Sequence, residues 1–143
     1  MVLDPEIWGP KYWFVLMTIS LNYPLHPNEI SKKKYYDLIQ NIPLLIPVKD
    51  ISNSFTKLLD DFPVTPYLDS RESFIKWVHF IHNKMNILSN KPELTLEEAL
   101  EKYYENYKSI KVKEKRMKIT REKIVFIFIL IILLSITVYL YKK

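Results

Sequence analysis

From Ile124 to Tyr141 the chain carries eighteen consecutive residues without a charge, fourteen of them Ile, Leu, Val or Phe. At ~1.5 Å per residue a helix of this length rises roughly 27 Å, close to the hydrocarbon thickness of a bilayer. A buried core helix is the alternative, but the rest of a 143-residue chain could hardly cover such a segment on every side. Tyr139 and Tyr141 stand at one end of the run, where amphipathic rings favour the headgroup level. The run therefore predicts a transmembrane helix over residues 124–141. Met1 to Glu6 holds two acids and reads as no signal peptide, so the expectation is a C-terminal single-pass, tail-anchored membrane protein.

The formal charge of +5 has to be divided along the chain. Residues 1–110 hold 12 Lys/Arg and 14 Asp/Glu, whereas residues 111–143 hold 9 against 2. The basicity belongs to the tail, and a nucleic-acid partner is not indicated. Lys111, Lys113, Lys115, Arg116, Lys118, Arg121 and Lys123 precede the apolar run, and only Lys142 and Lys143 follow it. That asymmetry favours an N-terminal domain facing the cytoplasm, and the cluster suits anionic headgroups. Three segments follow: a helical domain over 1–108, a basic juxtamembrane segment over 109–123 and the span over 124–141.

Residues 1–108 read as all-α. Tyr12, Leu16, Ile19 and Tyr23 form one stripe on a helix from about Pro10 to Leu21. Asn28 is the N-cap of a second helix that ends near Ile42, before Pro43 and Pro47. Val48, Ile51, Phe55, Leu58, Leu59 and Phe62 recur at helical spacing in a third. Ser70 caps a fourth, whose buried face is Phe74, Trp77, Val78, Ile81, Met85 and Leu88. Thr95 with Glu98 is a capping box that opens a fifth, expected to continue through Tyr107 into the basic segment. Trp13, Phe55, Phe74, Trp77 and Ile81 are the expected centre of the core.

Several short motifs occur in a fixed order. Trp8-Gly9-Pro10-Lys11-Tyr12-Trp13 resembles a W-G-x-x-x-W entry to a first helix, and Tyr23-Pro24 with Pro27 resembles Y-P-x-x-P. Trp77 with His82-Asn83-Lys84-Met85-Asn86 is similar to W-x-x-x-x-H-N-x-V-N, and Lys91-Pro92 with Tyr103 and Tyr104 follows. These blocks resemble the Erv/ALR family of FAD-linked sulfhydryl oxidases, in the version found in large DNA viruses. The resemblance implies a four-helix bundle with a short fifth helix, a homodimer through the first two helices, and FAD. It assigns Trp8, Trp13, His82, Asn83, Asn86 and Lys91 to the flavin nucleotide, if one is kept.

The departures gather at the chemistry. Pro47-Val48-Lys49-Asp50-Ile51 stands where the family has Pro-Cys-x-x-Cys, and the chain has no cysteine anywhere. Met17 replaces a histidine, and Ser52-Asn53-Ser54-Phe55 replaces a C-R-x-H-F/Y ending. Without sulfur there is no thiolate to attack a flavin and no dithiol to oxidise. Val48 and Ile51 read as core residues on the third helix. His82, Asn83 and Asn86 read as a polar set tying helix four to its neighbours.

No other catalytic constellation is visible. His79 and His82 are spaced for a shared metal, but no thiolate or suitably spaced carboxylate joins them, so no metal is expected. Ser52 and Ser54 lack a His/Asp partner set. The expected function is that of a catalytically inactive structural protein without cofactor, a minor capsid or virion component linking capsid to internal membrane. Its expected partners are the membrane, other virion or capsid proteins and a second copy of itself. The alternative is an FAD-binding, membrane-anchored homologue acting with an active thiol oxidase.

Overall fold

The computed structural model describes residues 3–108 and 110–141, without the side chains of 110–116, 135 and 137–139. Among the described residues six α-helices follow one another: α1 (Pro5–Leu21), α2 (Glu29–Leu45), α3 (Lys49–Asp61), α4 (Arg71–Leu88), α5 (Leu96–Glu105) and α6 (Ile110–Tyr141). A 3-10 turn, Thr65–Tyr67, links α3 to α4, and no strand occurs among the described residues. The all-α expectation holds. The chain divides into two compact units, one ending at Tyr103 and one beginning at Tyr104.

Local chemistry sets most helix ends in the first unit. Asp4 accepts the Glu6 N–H at 2.9 Å and Pro5 takes the first helical position, so α1 begins five residues before the expected Pro10. Asp4-Pro5 is as good a start signal as Gly9-Pro10, and Pro10 is simply contained in the helix. Asn28 caps α2 by accepting the Ser31 N–H at 2.8 Å. That helix runs past Ile42, because Pro43 is still helical and its carbonyl accepts both the Ile46 N–H and the Ser52 hydroxyl.

Ser70 accepts the Ser73 N–H at 3.1 Å to open α4. Thr95 and Glu98 form the reciprocal capping box, at 3.2 Å in one direction and 2.7 Å in the other. At its far end α4 closes through Asn90, whose φ of 55° lets the Lys91 N–H reach the Asn86 carbonyl at 2.8 Å. α5 stops at Glu105 in turn bonds from Tyr107 and Lys108. It does not continue as one helix into the basic segment as expected; α6 starts afresh at Ile110.

The core sits between α1, α2, α3 and α4 and is centred on Tyr23, Ile39, Phe55, Leu59, Phe74, Trp77 and Ile81. Tyr23 is wholly buried, donates its hydroxyl to Leu68 O at 2.7 Å, and meets Tyr35 edge-on with Phe74 alongside. Trp77 donates its indole N–H to Phe62 O at 3.0 Å. Leu88 and Trp13, both expected in the core, lie further out. Leu88 is exposed and Trp13 is only partly buried against the cluster, since the buried face of α4 already ends at Met85.

The second unit consists mainly of α6. Among the described residues no helix is long and apolar enough to cross a membrane. The expected transmembrane helix over 124–141 is therefore not found in them. Within that expected span, side chains are described without interruption only from Ile124 to Leu134, and eleven residues rise ~16 Å against the ~30 Å of a hydrocarbon core. Positions 135 and 137–139 of the expected span lie outside the residues whose side chains are described.

Candidate functional site

The segment in place of the cysteine pair forms the corner between α2 and α3. Val48 is the N-cap of α3, with extended backbone (φ −108°, ψ 116°) and no side-chain cap bond. Ile51 lies one turn further on, half-buried against the edge of the core. The expectation that both are core residues is corrected: each is half-buried, Ile51 packed against the edge of the core cluster and Val48 not part of it. Pro47 ahead of Val48 and the non-helical geometry of a cap leave its side chain outside the buried stripe of Phe55, Leu58 and Leu59.

The two serines that follow are engaged locally. Ser52 Oγ donates to Pro43 O at 2.7 Å, pinning the start of α3 to the end of α2, and Ser54 Oγ donates to Asp50 O at 2.9 Å. Both hydroxyls thus donate to backbone carbonyls and not to a basic side chain. What the corner presents is a packed hydrocarbon and hydroxyl surface.

Across from it, α1 and α4 bring Trp13 and His82 face to face, with ring centroids 4.2 Å apart and 14° between planes. Trp13 also tilts against Phe55 of α3 at 6.0 Å. Burial, reinforced by His79, Lys91 and Lys102, pushes the His82 imidazole down to about 4. It is neutral near pH 7, as suits a ring stacked on an indole. Met17, where the family pattern has histidine, is buried and receives the Ser20 hydroxyl at 3.7 Å on sulfur.

Asn83 is fully committed within the chain. Its Nδ2 donates to Leu94 O at 2.8 Å, its Oδ1 accepts the Leu94 N–H at 3.1 Å, and Nδ2 also lies 3.3 Å from His79 Nε2. The amide thus imitates a backbone pair and holds the α4–α5 connection against α4. Burial lowers the His79 pKa, opposed by the backbone of Leu94. Its Nδ1 is buried without a partner. Lys91 pairs with Glu6 at 2.8 Å, and Trp8 donates to Leu3 O at 3.3 Å while meeting Tyr12 edge-on.

Of the six residues assigned by resemblance, the structure brings Trp13 and His82 into contact and sets Asn83 one position along α4. Lys91 joins the first turn of α1 through Glu6, whereas Trp8 packs on Tyr12 and Asn86 stays half-buried on α4. Two contributors escaped the sequence reading. His79, which the sequence offers only as a metal ligand, backs Asn83. Tyr103 of α5 shares a hydrogen bond of 2.9 Å with Thr18 and stacks on Phe14. Its only signal was its place in the family pattern.

A flavin nucleotide needs polar partners for its ribose and phosphates as well as a stacking face. Here Asn83 and Lys91 are engaged by Leu94 and Glu6. Met17 contributes only a thioether, and Val48 and Ile51 bring branched hydrocarbon where thiols would lie. The stacking face suits such a ligand; the polar set as it stands does not.

Comparison with known proteins accounts for this geometry. The sequence profile of the Erv1/Alr family matches residues 10–108. A protein of Acanthamoeba polyphaga mimivirus, named as a probable FAD-linked sulfhydryl oxidase, is 33% identical over 100 residues, covering 69% of this chain and 70% of its own. A relative from Invertebrate iridescent virus 3 is 25% identical over 103 residues, covering 72% of this chain and 70% of its own. The crystal structure of the FAD binding domain of Erv1 from Saccharomyces cerevisiae superposes with a TM-score of 0.64, covering 75% of this chain and 96% of that one at 22% identity, a likeness of fold. With the motifs, the helix order and the profile in agreement, the chain belongs to the Erv1/Alr family.

Proposed function

We propose that this protein is a catalytically inactive Erv1/Alr-family member with a structural role: a minor capsid or virion protein that links a capsid to an underlying membrane. The observation that carries the first half is the absence of cysteine from all 143 residues. The reaction named for its relatives moves electrons from thiols, and neither a shuttle nor a flavin-proximal thiolate can be built from this chain. Ile51 and Ser52 sit in contacts that suit a folded corner, which supports retention of the domain for its shape.

The setting rests on relatives in two large DNA viruses and on the uncharged run at 124–141, read as a single-pass C-terminal anchor behind a basic collar. The partners in this reading are the membrane, other virion proteins and a second copy of the chain. Oxygen consumption with dithiothreitol, against a flavin-loaded oxidase as control, tests the inactive state, and turnover above free-flavin background overturns it. Detergent fractionation of virions tests the setting. The protein should leave with the membrane fraction while cross-linking to capsid protein, and its absence from virions would refute the placement.

A second reading, a flavin-holding homologue that works beside an active thiol oxidase, has one observation in its favour. The buried Nδ1 of His79, one turn before His82 on α4, has no partner among the described residues. Flavin absorbance that co-elutes stoichiometrically with the protein in gel filtration would establish this reading in place of the first.

A further inference from the structure

We propose that α6 enters a lipid bilayer end-on, with Lys118, Arg121 and Lys123 at the headgroups of an anionic leaflet, and does not lie along the surface. The inference rests on the membrane anchor proposed above and adds its geometry and the class of lipid.

The first observation is the evenness of exposure along the helix. Seven consecutive residues, Ile124 to Leu130, are all between 49% and 64% exposed. At ~100° per residue they make nearly two turns, so hydrocarbon is presented on every side of this part of α6. In α4, by contrast, exposure alternates between 0% at Phe74 and 37% at Phe80, as on a helix with one buried face. A helix lying at an interface needs a polar face for water opposite its apolar face. Over these two turns α6 has no polar face to offer.

The second observation is the placing of charge just before this stretch. Lys118, Arg121 and Lys123 are exposed, and Glu122 is the only acid between Met117 and Leu134. Taking Lys118 as the origin, Arg121 stands at about 300° and Lys123 at about 140° around the axis. Cations on opposite sides of a helix cannot all reach one plane of phosphates if the helix lies flat. They can if it stands upright, their long stems following the apolar surface while the charged ends stay at headgroup level. The net positive collar complements an anionic leaflet, and the hydrocarbon that follows complements its interior.

The lack of cysteine makes the test clean, since one introduced thiol is a unique labelling site in the full chain. An environment-sensitive fluorophore is placed in turn at Lys118→Cys, Arg121→Cys, Val125→Cys, Ile127→Cys, Ile129→Cys and Ile132→Cys. Each protein is then reconstituted with vesicles of phosphatidylcholine and phosphatidylserine and recovered by flotation. Blue shift and quenching by a deep lipid-borne quencher should grow steadily from residue 118 to residue 132. A signal that rises and falls with a period of ~3.6 residues overturns end-on entry while leaving the membrane reading intact. Failure of the full chain to float with either lipid overturns the membrane reading itself. In competition between anionic and purely phosphatidylcholine vesicles, Lys118→Gln/Arg121→Gln/Lys123→Gln should reduce the anionic preference about tenfold or more. An unchanged preference refutes the assignment of lipid class.

Discussion

The indole of Trp13 on α1 and the imidazole of His82 on α4 are stacked at 4.2 Å with planes 14° apart, which couples a titratable ring to the packing of two helices. His82 is held at about 4, first by burial and then by His79, Lys91 and Lys102, whereas an unfolded histidine titrates near 6.5. The folded pKa is depressed, so the unfolded chain binds the extra proton between these values. The stability involved is fully present above about pH 6.5 and is lost as pH falls towards 4. His79 is shifted in the same direction. Urea unfolding at a series of pH values should show a loss of up to about 3 kcal/mol across this window. His82→Phe, which keeps a ring against Trp13, should flatten most of that slope.

Asn83 offers a test of the α4–α5 clamp. Asn83→Leu removes both bonds to Leu94 and leaves that residue's N–H and C=O unpaired in a half-buried setting. The expected cost is about 2–3 kcal/mol. Asn83→Asp keeps the acceptor and loses the donor, and should fall between wild type and Asn83→Leu. Chemical denaturation measures both, and faster hydrogen exchange at Leu94 would locate the effect.

Tyr23 is the most buried hydroxyl-bearing ring in the core, and its single hydroxyl bond runs to Leu68 O at 2.7 Å. Tyr23→Phe leaves the ring contacts with Tyr35 and Phe74 and orphans the carbonyl. A loss of about 1–2 kcal/mol is expected, without change in helix content by circular dichroism. A neutral result would mean that water replaces the hydroxyl.

Restoring the missing sulfur should not restore an oxidase. In Val48→Cys/Ile51→Cys the thiols occupy the N-cap and first turn of α3, a spacing that permits a disulfide. Met17, Ser52 and Ser54 still depart from the family pattern. Thiol titration should find the pair, and oxygen consumption with dithiothreitol should stay at free-flavin background.

Removing the residues after Thr120 should yield a soluble, folded domain. Every member of the hydrophobic core cluster lies at or before Met85, so no residue of α6 is needed to fill it. The same thermal midpoint within a few degrees, and loss of membrane association of the full chain, are the expected readouts. Ile131→Lys/Ile132→Lys should act like the truncation, because each charge at mid-bilayer costs ~2.5–3.5 kcal/mol on insertion scales.

Much of this molecule was written in local sequence. Asn28, Ser70 and the Thr95–Glu98 box cap helices as expected, because capping is chemistry between residues two or three apart. The spacing of Phe74, Trp77, Val78, Ile81 and Met85 named the buried face of α4, because a helix repeats every 3.6 residues whatever surrounds it, while Leu88 on the same spacing lies exposed beyond the end of the core. Composition alone shows that these 143 residues supply no thiolate. Tertiary structure decided what depends on partners distant in sequence. It stacked Trp13 on His82 across 69 positions, and it joined the Asn83 amide to the backbone of Leu94. It also moved Val48 out of the core, since which residue becomes a cap depends on where Pro43 and Ser52 join the α2–α3 corner. Helical periodicity specifies a face, and only the packed neighbours determine what that face meets.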